Sequence, residues 1–484
     1  MQAAHMHAVQ VTLPVSLPAF LEGRRWFGGK NRTITGVSLS DYVWLQTGPR
    51  PDALALVDVS YGDAGRERYA LWVGVRDAPE GRPVVGRVPD GPWIVDVSAD
   101  PECAPALLQR FVGADDLLTE RGGVVRAGDV TSEAAAILRR CSDVRALGVD
   151  QSNTSLAIDR AIMFKLFRRL QPGENPEIEI GRFLTTRTAF RECSLLRGSI
   201  TWVAADGTPY SIGVLQAWID NTGDGWRYVQ DCLTQHLATP GSWATARRDL
   251  FTLGATTARF HLALACDRSQ PAFAPEPFAA AEISRWGDAL TRLAAHAHEY
   301  VADARLSDDE RRRLARALGL VASADPSVLP PLAERVSSWS GIRVHGDYHL
   351  GQTLRTREGF AIIDFEGEPA RTIEERRSKH CALKDVAGML RSFEYALAVA
   401  CAGAPERMDA LRADLGMAPA FLAGYYSAAD AAGASFLPSE PGLRARWLRF
   451  FEIEKALYEL DYEFHNRPDW VRIPARGLVA LLDA

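Results

Sequence analysis

The 484-residue sequence has no strong excess of charge of either sign and no long apolar run. Its formal net charge of −6 gives no broad positive field, so nucleic acids and anionic membranes are not expected partners. No segment approaches the roughly 18 apolar residues that suggest a membrane span. The N-terminus also lacks the basic and apolar regions of a signal peptide. These absences favour a cytoplasmic protein.

Cysteine and glycine motifs are sparse as well. The seven cysteines form no C-x-x-C pair, which predicts free thiols in a reducing compartment and argues against a zinc site or a disulfide framework. No G-x-G-x-x-G occurs, and Gly28-Gly29-Lys30 does not complete a Walker motif because Asn31 follows the lysine. Any phosphate-binding loop must therefore have another sequence.

The chain is organised around residues 344–369, which carry two carboxylates and one amide at fixed spacing. The interval from Asp347 to Gln352 matches the base and the metal-binding Asn of the kinase catalytic loop. Asp364 ends an apolar strand, where the Asp of D-F-G would stand. We therefore predict a phosphotransferase in which Asp347 is the base, and Gln352 and Asp364 hold Mg²⁺. A polar surface turn is the alternative, but it leaves unexplained why both carboxylates adjoin apolar segments.

A second signal is a lysine inside an apolar strand. Lys165 lies within residues 161–167, and a buried ammonium there needs an anionic partner. This is the arrangement of the kinase V-A-I-K strand, whose lysine meets nucleotide phosphates and a helix glutamate. Glu179, on the predicted helix 178–186, is the expected partner, with Glu177 as the alternate. An edge strand, from which Lys165 reaches solvent, is the competing interpretation.

Further nucleotide contacts follow from the kinase interpretation. Ser152, Thr154 and Ser155 lie in a polar turn between two apolar strands, and their N–H groups and hydroxyls would cover the phosphates. Gln216 and Trp218 would lie on the strand that leads into the hinge, where the backbone offers one donor and one acceptor to adenine. ATP is thus the expected phosphate donor.

Three regions are expected in an α+β, bilobal, protein-kinase-like fold. Residues 1–98 are predicted to form the strands of an N-terminal cap subdomain. A Gly/Pro-rich loop or linker is predicted at 78–92, at the end of this subdomain. Residues 99–220 would form the kinase N-lobe. Residues 221–484 would form a mostly helical C-lobe with the catalytic loop, the metal site and the sugar site. Within this last region His261 is interpreted as a helix-packing residue.

The long helix predicted at 443–464 carries the candidate acceptor residues. Lys455 and Tyr462 lie two turns apart on one side of it, and Lys455 and Glu459 stand four positions apart. This face is either a wall of the acceptor site, with groups suited to sugar hydroxyls and ring faces, or a solvated surface with an ordinary salt bridge. The sequence leaves both interpretations open.

These motifs closely resemble those of bacterial maltokinases, relatives of the aminoglycoside phosphotransferases. The resemblance spans nearly the whole chain, and Gln352 in place of the commoner Asn is itself typical of the family. The matching blocks include Arg25-Trp26-Phe27-Gly28-Gly29-Lys30, Gln151-Ser152-Asn153-Thr154-Ser155 and residues 345–352, 363–369, 385–393 and 454–459.

The resemblance implies a two-lobed kinase fold with a cap, and transfer of the γ-phosphoryl group of ATP to the anomeric hydroxyl of maltose. It assigns Asp347 as base, Gln352 and Asp364 as Mg²⁺ ligands, Lys165 as phosphate contact, and Lys455 and Tyr462 as sugar ligands. Some maltokinases associate with trehalose synthase, which makes such a partner an expectation. The alternatives are another small acceptor such as glucosamine, or a weakly catalytic binding partner of trehalose synthase.

Overall fold

A computed structural model describes residues 2–483 apart from 111, 113–114, 149–151 and 326–338. Gln151, in the predicted phosphate loop, lies outside the described residues. The chain divides into two compact units: Met1–Thr185 with Ser194–Ile219, and Thr186–Cys193 with Asp220–Ala484. The predicted cap (1–98) and most of the predicted N-lobe (99–220) fall in the first of these units, whereas residues 186–193 and 220 of that N-lobe belong to the second.

The first unit opens with a helix and an antiparallel sheet of strand order β1-β2-β3-β5-β4. These elements are α1 (Gln2–Glu22), β1 (Ile34–Gln46), β2 (Asp52–Tyr61), β3 (Arg66–Arg76), β4 (Val84–Arg87) and β5 (Trp93–Asp96). Strand β4 lies inside the segment 78–92, so the prediction of a linker there is wrong. Side chains alternate across a strand, and β2 uses both faces: Ala53 and Val57 belong to the core that includes α1, whereas Leu54 and Leu56 belong to the next core.

A second antiparallel sheet completes this unit, in the order β6-β7-β12-β13-β10-β9-β8. Strand β10 pairs with β13 on one side and β9 on the other, so the edge-strand interpretation of Lys165 is wrong. Strand β11 instead pairs with β3 of the first sheet. The elements are α2 (Ala104–Arg110), β6 (Leu117–Leu118), β7 (Val124–Gly128), α3 (Ser132–Arg140), β8 (Val144–Leu147), β9 (Thr154–Ile158), β10 (Ile162–Leu166), β11 (Arg169–Leu170), α4 (Pro176–Arg187), β12 (Leu196–Val203) and β13 (Pro209–Ala217).

The second unit is mostly helical. Its short strands β16 and β17 form a hairpin that follows the predicted catalytic loop. Among the described residues, no helix combines the length and the apolar character that crossing a bilayer requires. The elements are α5 (Gly225–Ala238), α6 (Ala244–Leu264), β14 (Glu276–Pro277), α7 (Ala280–Tyr300), α8 (Asp308–Ala322), β15 (Ser340–Gly341), β16 (Thr353–Arg355), β17 (Phe360–Ile362), α9 (Ile373–Arg377), α10 (Leu383–Ala400), α11 (Met408–Leu415), α12 (Met417–Ala431), α13 (Pro441–Asn466) and α14 (Arg472–Asp483).

Helices α6 and α12 pack backbone against backbone through two glycines. A Cβ on Gly254 would overlap the carbonyl oxygen of Phe421, and a Cβ on Gly424 would overlap that of Phe251. Only glycine allows this approach, because any larger residue must push the helices apart. The contact therefore fixes the position of α6, which carries the buried His261.

We expect Gly254→Ala to destabilise the second unit by about 1–3 kcal/mol, because the added methyl group forces the two helices to separate. A thermal or urea unfolding curve, followed by circular dichroism, measures the loss. Gly319→Ala is the matched control: it is also a helix glycine, but a Cβ added there would meet no other described part of the chain within 4 Å. There alanine should stabilise by up to about 1 kcal/mol. Equal destabilisation by both changes would contradict the packing argument.

Candidate active site

The buried carboxylate of Asp385 holds the backbone of the predicted catalytic loop. It accepts hydrogen bonds from the N–H groups of His345 (2.7 Å) and Gly346 (2.9 Å), and its Oδ2 lies 3.0 Å from Nε2 of His261. Burial alone raises the pKa of this carboxyl, but His261 and the loop N–H outweigh it and hold the pKa below its ordinary value. His261 is buried on helix α6, as expected for a packing residue, and its ring also orients the Asp385 carboxylate.

Helix α10 supports the loop along one face. Asp385, Gly388 and Ser392 recur at helical spacing, and each meets the loop. A Cβ on Gly388 would lie 2.6 Å from the carbonyl oxygen of Tyr348, so glycine is required for this approach. Ser392 Oγ accepts the N–H of Leu350 at 3.0 Å. The loop backbone is therefore fixed from behind at several successive residues.

The two predicted metal ligands lie together. Gln352 Nε2 donates to Asp364 Oδ2 at 2.9 Å, and the N–H of Ile363 donates to the carbonyl of Gln352 at 3.0 Å. Asp364 adopts a left-handed backbone with φ of +67°, which is uncommon outside glycine and is typical of functional sites. The bond between the side chains uses the amide nitrogen of Gln352, which leaves the amide oxygen for a cation. An amide and a carboxylate oxygen are suitable ligands for Mg²⁺.

Lys455 lies beside the predicted base. Its Nζ is 3.5 Å from Asp347 Oδ1, and both side chains remain partly accessible. Burial alone would lower the pKa of Lys455, but Asp347, followed by Glu459 and Glu368, outweighs it and raises that pKa. The lysine is therefore charged where it faces Asp347.

A cavity of about 490 Å³ opens next to the catalytic loop, within the size range of small-molecule sites. Lys455 and Glu459, both predicted from the sequence, line it. The cavity is also lined by two tryptophans, a histidine and an arginine, which the sequence analysis did not predict. The full lining is Trp226, His349, Gly351, Gly388, Ser392, Tyr395, Lys455, Glu459, Arg467 and Trp470.

The structure separates the two interpretations of helix α13 at Glu459, and it places Tyr462 outside the cavity lining. Glu459 is not the partner of a solvated salt bridge: it is 9% exposed, and its Oε2 accepts a hydrogen bond from the buried Arg391 Nε at 2.9 Å. Tyr462 is 44% exposed and does not line the cavity. Its ring instead lies 5.4 Å from the guanidinium of Arg467, which also covers the ring of Trp470 at 5.0 Å. Tyr462 therefore contacts a lining residue rather than the cavity.

In the first unit, Lys165 is 7% exposed on the interior strand β10, as its predicted role requires. Its Nζ lies 3.8 Å from Glu177 Oε2, so the residue predicted as the alternate partner stands next to it. Gln216, expected near the hinge, is buried and donates to Glu177 Oε1 at 2.5 Å. Glu179, the first choice, is also buried, two positions further along α4.

The structure also shows where the other residues predicted to contact the nucleotide lie. Ser152 is exposed, whereas Thr154 and Ser155 already belong to strand β9, in which Ser155 is buried. Trp218, predicted near the hinge, donates its backbone N–H to the carbonyl of Ala161 at 2.9 Å, so this N–H is not the donor predicted for adenine in this region. Strand β13 thus continues its pairing past the expected hinge contact.

Two partly buried histidines of the second unit are held in the neutral form. Burial lowers the pKa of His349, whose Nδ1 accepts the N–H of Gly351 at 3.0 Å. Burial also lowers the pKa of His380 well below its ordinary value. The His380 ring stacks on Trp286 with ring centroids 4.6 Å apart. Protonation would leave an unsolvated charge at either position.

We expect stability to fall as the pH drops below about 6.5, where unfolded histidines bind protons and these two do not. Each contributes up to about 1.4 kcal/mol per pH unit until its folded pKa is reached. Unfolding curves at pH 7.5 and pH 5.5 measure the slope. His380→Gln should reduce it, and exposed His298→Gln should leave it unchanged. An unchanged slope in His380→Gln would contradict the assignment.

Comparison with known proteins finds one family model and two similar enzymes. Residues 20–100 match the maltokinase N-terminal cap domain family. The chain is 28% identical over 379 residues to a glucosamine kinase of Mycolicibacterium smegmatis, covering 76% of this chain and 86% of that protein. It is also 28% identical over 346 residues to a glucosamine kinase of Streptacidiphilus jiangxiensis, covering 70% and 73% of the two chains.

The fold is that of a solved glucosamine kinase in complex with glucosamine, ADP and inorganic phosphate. The TM-score is 0.64 at 22% identity, and the alignment covers 97% of this chain and 98% of the other. The predicted fold class, a kinase-like α+β fold with an N-terminal cap, is confirmed. The chain is thus similar over most of its length to two glucosamine kinases, and its residues 20–100 match the maltokinase N-terminal cap domain family.

Proposed function

We propose that this protein is an ATP- and Mg²⁺-dependent sugar kinase that phosphorylates the anomeric hydroxyl of maltose to give maltose 1-phosphate. The observation that carries the proposal is the position of Asp347. This carboxylate adjoins Lys455, a residue of the indole-lined cavity, and it shares a rigid loop with the Gln352–Asp364 pair. A base, a metal-binding pair and an acceptor cavity therefore belong to one part of the second unit.

Asp347 would orient the attacking hydroxyl and accept its proton. A carboxylate is a weak base, but it suffices because the transition state of phosphoryl transfer is loose and the proton leaves late. The anomeric hydroxyl is also more acidic than a primary one. Gln352 and Asp364 would hold Mg²⁺, which neutralises charge on the phosphates when bound. The fixed loop supports this role, because positioning supplies much of the rate.

Lys165 would contact the phosphates of ATP. Glu177 stands beside its ammonium, and Gln216 fixes the other oxygen of Glu177, so the lysine is held at a set position in its strand. Ser152, Thr154 and Ser155 would contribute hydroxyl or N–H donors near the start of β9. These assignments belong to the first unit and support nucleotide binding there.

The charge of the cavity favours a neutral sugar over glucosamine. Glu459 is the lining carboxylate, and Arg391 already satisfies it at 2.9 Å. Lys455 and Arg467 each have a carboxylate partner, Asp347 and Glu463, and the lowered pKa of His349 keeps that ring neutral. An amino sugar would therefore bring an ammonium group into a cavity whose described lining offers it no unpaired carboxylate. Trp226 and Trp470 offer apolar ring faces, which suit the C–H faces of a sugar.

Glucosamine remains the alternative acceptor, because the relatives are glucosamine kinases. A weakly catalytic binding partner of trehalose synthase is the other alternative. Asp347 and Gln352 lie in a fixed loop and Asp364 is hydrogen-bonded to it, which argues against lost catalysis. Association with trehalose synthase is compatible with an active kinase and stays a proposal.

We expect Asp347→Asn to reduce kcat by several orders of magnitude while the thermal midpoint changes little, because an amide cannot take the hydroxyl proton. ADP release with Mg-ATP and maltose, coupled to NADH oxidation, measures the turnover. Glu454→Gln is the control on the neighbouring helix, because Glu454 forms a partly exposed pair with Lys384 at 2.8 Å. It should keep wild-type turnover. Unchanged turnover in Asp347→Asn would refute the assigned base.

We expect kcat/KM for maltose to exceed that for glucosamine by at least about tenfold at pH 7, which corresponds to about 1.4 kcal/mol. The difference should narrow as the pH rises, because the amine loses its charge. A panel of maltose, glucose, trehalose and glucosamine tests this, and NMR of the product locates the phosphate. Preference for glucosamine would establish the alternative acceptor. Absence of ADP release with every sugar would refute the sugar kinase.

A further inference from the structure

A second cavity, of about 360 Å³, adjoins the proposed acceptor cavity, and Trp470 belongs to the lining of both. Most of the side chains that line the second cavity are apolar, among them Val399 of α10 and Ile473 of α14. Its three charged lining residues are exposed, and each already forms an ion pair. Both cavities fall within the size range of small-molecule sites.

Helix α10 gives the order of the two cavities. Four of its residues recur at intervals of three or four positions and therefore share one face of the helix: Gly388, Ser392, Tyr395 and Val399. The first three line the acceptor cavity, and Val399 lines the second. Gly388 and Ser392 contact the catalytic loop, whereas Tyr395 lies roughly 10 Å beyond Gly388 along the helix. On the α10 side, the acceptor cavity thus begins at the loop and ends at Tyr395, and the second cavity follows.

Trp470 stands where the two cavities meet. Its ring lies 6.4 Å from that of Tyr395, with the ring planes 20° apart, and the guanidinium carbon of Arg467 lies 5.0 Å from its centre. The chain around it follows the same order, because Arg467 lines the acceptor cavity and Ile473 lines the second. The indole of Trp470 is therefore a wall between the two cavities.

The reaction sets the direction of the sugar. Its anomeric hydroxyl must reach Asp347, which lies beside Lys455 at the loop end of the acceptor cavity. The anomeric hydroxyl belongs to the reducing end of a glucan, so every further sugar unit extends away from Asp347. Along α10 that direction leads to Tyr395 and to the indole of Trp470.

We propose that Trp470 is a specificity-determining residue that closes the far end of the acceptor cavity and so limits the number of sugar units in the acceptor. This inference rests on the proposed sugar kinase function and names its substrate class more closely. A clash with a wall is an effective way to reject a longer substrate. Removal of the indole would join the two cavities and leave space for a further sugar unit.

The test measures kcat/KM for maltose and for maltotriose with Mg-ATP in the full-length wild type, Trp470→Ala and Trp470→Phe. The wild type should prefer maltose. Trp470→Ala should raise the ratio of maltotriose to maltose by at least about tenfold, because the clash is lost. Trp470→Phe keeps an aromatic wall and should stay close to the wild-type ratio. Each ratio is taken within one preparation, so it does not depend on the fraction of folded protein.

Trp226→Ala is the matched control. Trp226 is also a partly buried tryptophan of the acceptor cavity, at the start of α5, but the described lining of the second cavity does not include it. This variant should lower kcat/KM for both sugars and leave their ratio unchanged. Val399→Phe added to Trp470→Ala should refill the second cavity and return the ratio towards that of the wild type.

The inference is overturned if the ratio stays unchanged in Trp470→Ala, if it rises equally in Trp226→Ala, or if Val399→Phe leaves the gain intact. Should the wild type prefer glucosamine, then glucosamine and its 1,4-linked dimer take the places of maltose and maltotriose. Absence of ADP release by the wild type with every sugar refutes the proposed function instead, before the variants are compared.

Discussion

The predicted catalytic loop of the second unit depends on one buried anion, Asp385. A carboxylate inside a helix-packed core is costly unless several donors satisfy it. Here two loop N–H groups and His261 supply the donors, and the same bonds that satisfy the carboxylate define the loop. The backbone of His345 and Gly346 therefore cannot move without leaving that charge unpaired. The loop is rigid for an electrostatic reason.

Gln352 and Asp364, the predicted metal ligands, depend on this loop in turn. His345 Nε2 lies 2.9 Å from the carbonyl of Ile363, and the N–H of Ile363 meets the carbonyl of Gln352. These bonds attach the end of the β16–β17 hairpin to the catalytic loop. Asp364 is held in a left-handed conformation that a free chain would seldom populate. The position of the second carboxylate is thus determined by the first loop.

The sequence predicted the motifs better than their partners. Asp347, Gln352, Asp364 and Lys165 could be found because spacing and apolar flanks are local properties. The choice between Glu177 and Glu179 depends on where α4 begins, and no local pattern determines that to within two positions. Asp385 is recognisable in the sequence as a carboxylate on an apolar helix. Its partners, however, lie about 40 and 124 positions away, so no local pattern identifies them.

The proposed acceptor cavity shows why its lining residues cannot be predicted from the sequence of one helix. Trp226 begins α5, Trp470 follows α13, and only packing brings their rings to the same cavity. The same packing explains Glu459. Arg391 on α10 donates a hydrogen bond to this carboxylate. The buried pair therefore joins α10, which supports the predicted catalytic loop, to α13, which carries Lys455. A lone charge at either position would be strongly destabilising. Because that pairing uses the negative charge of Glu459, the residues that secure the loop also leave the described lining of the cavity without an unpaired carboxylate.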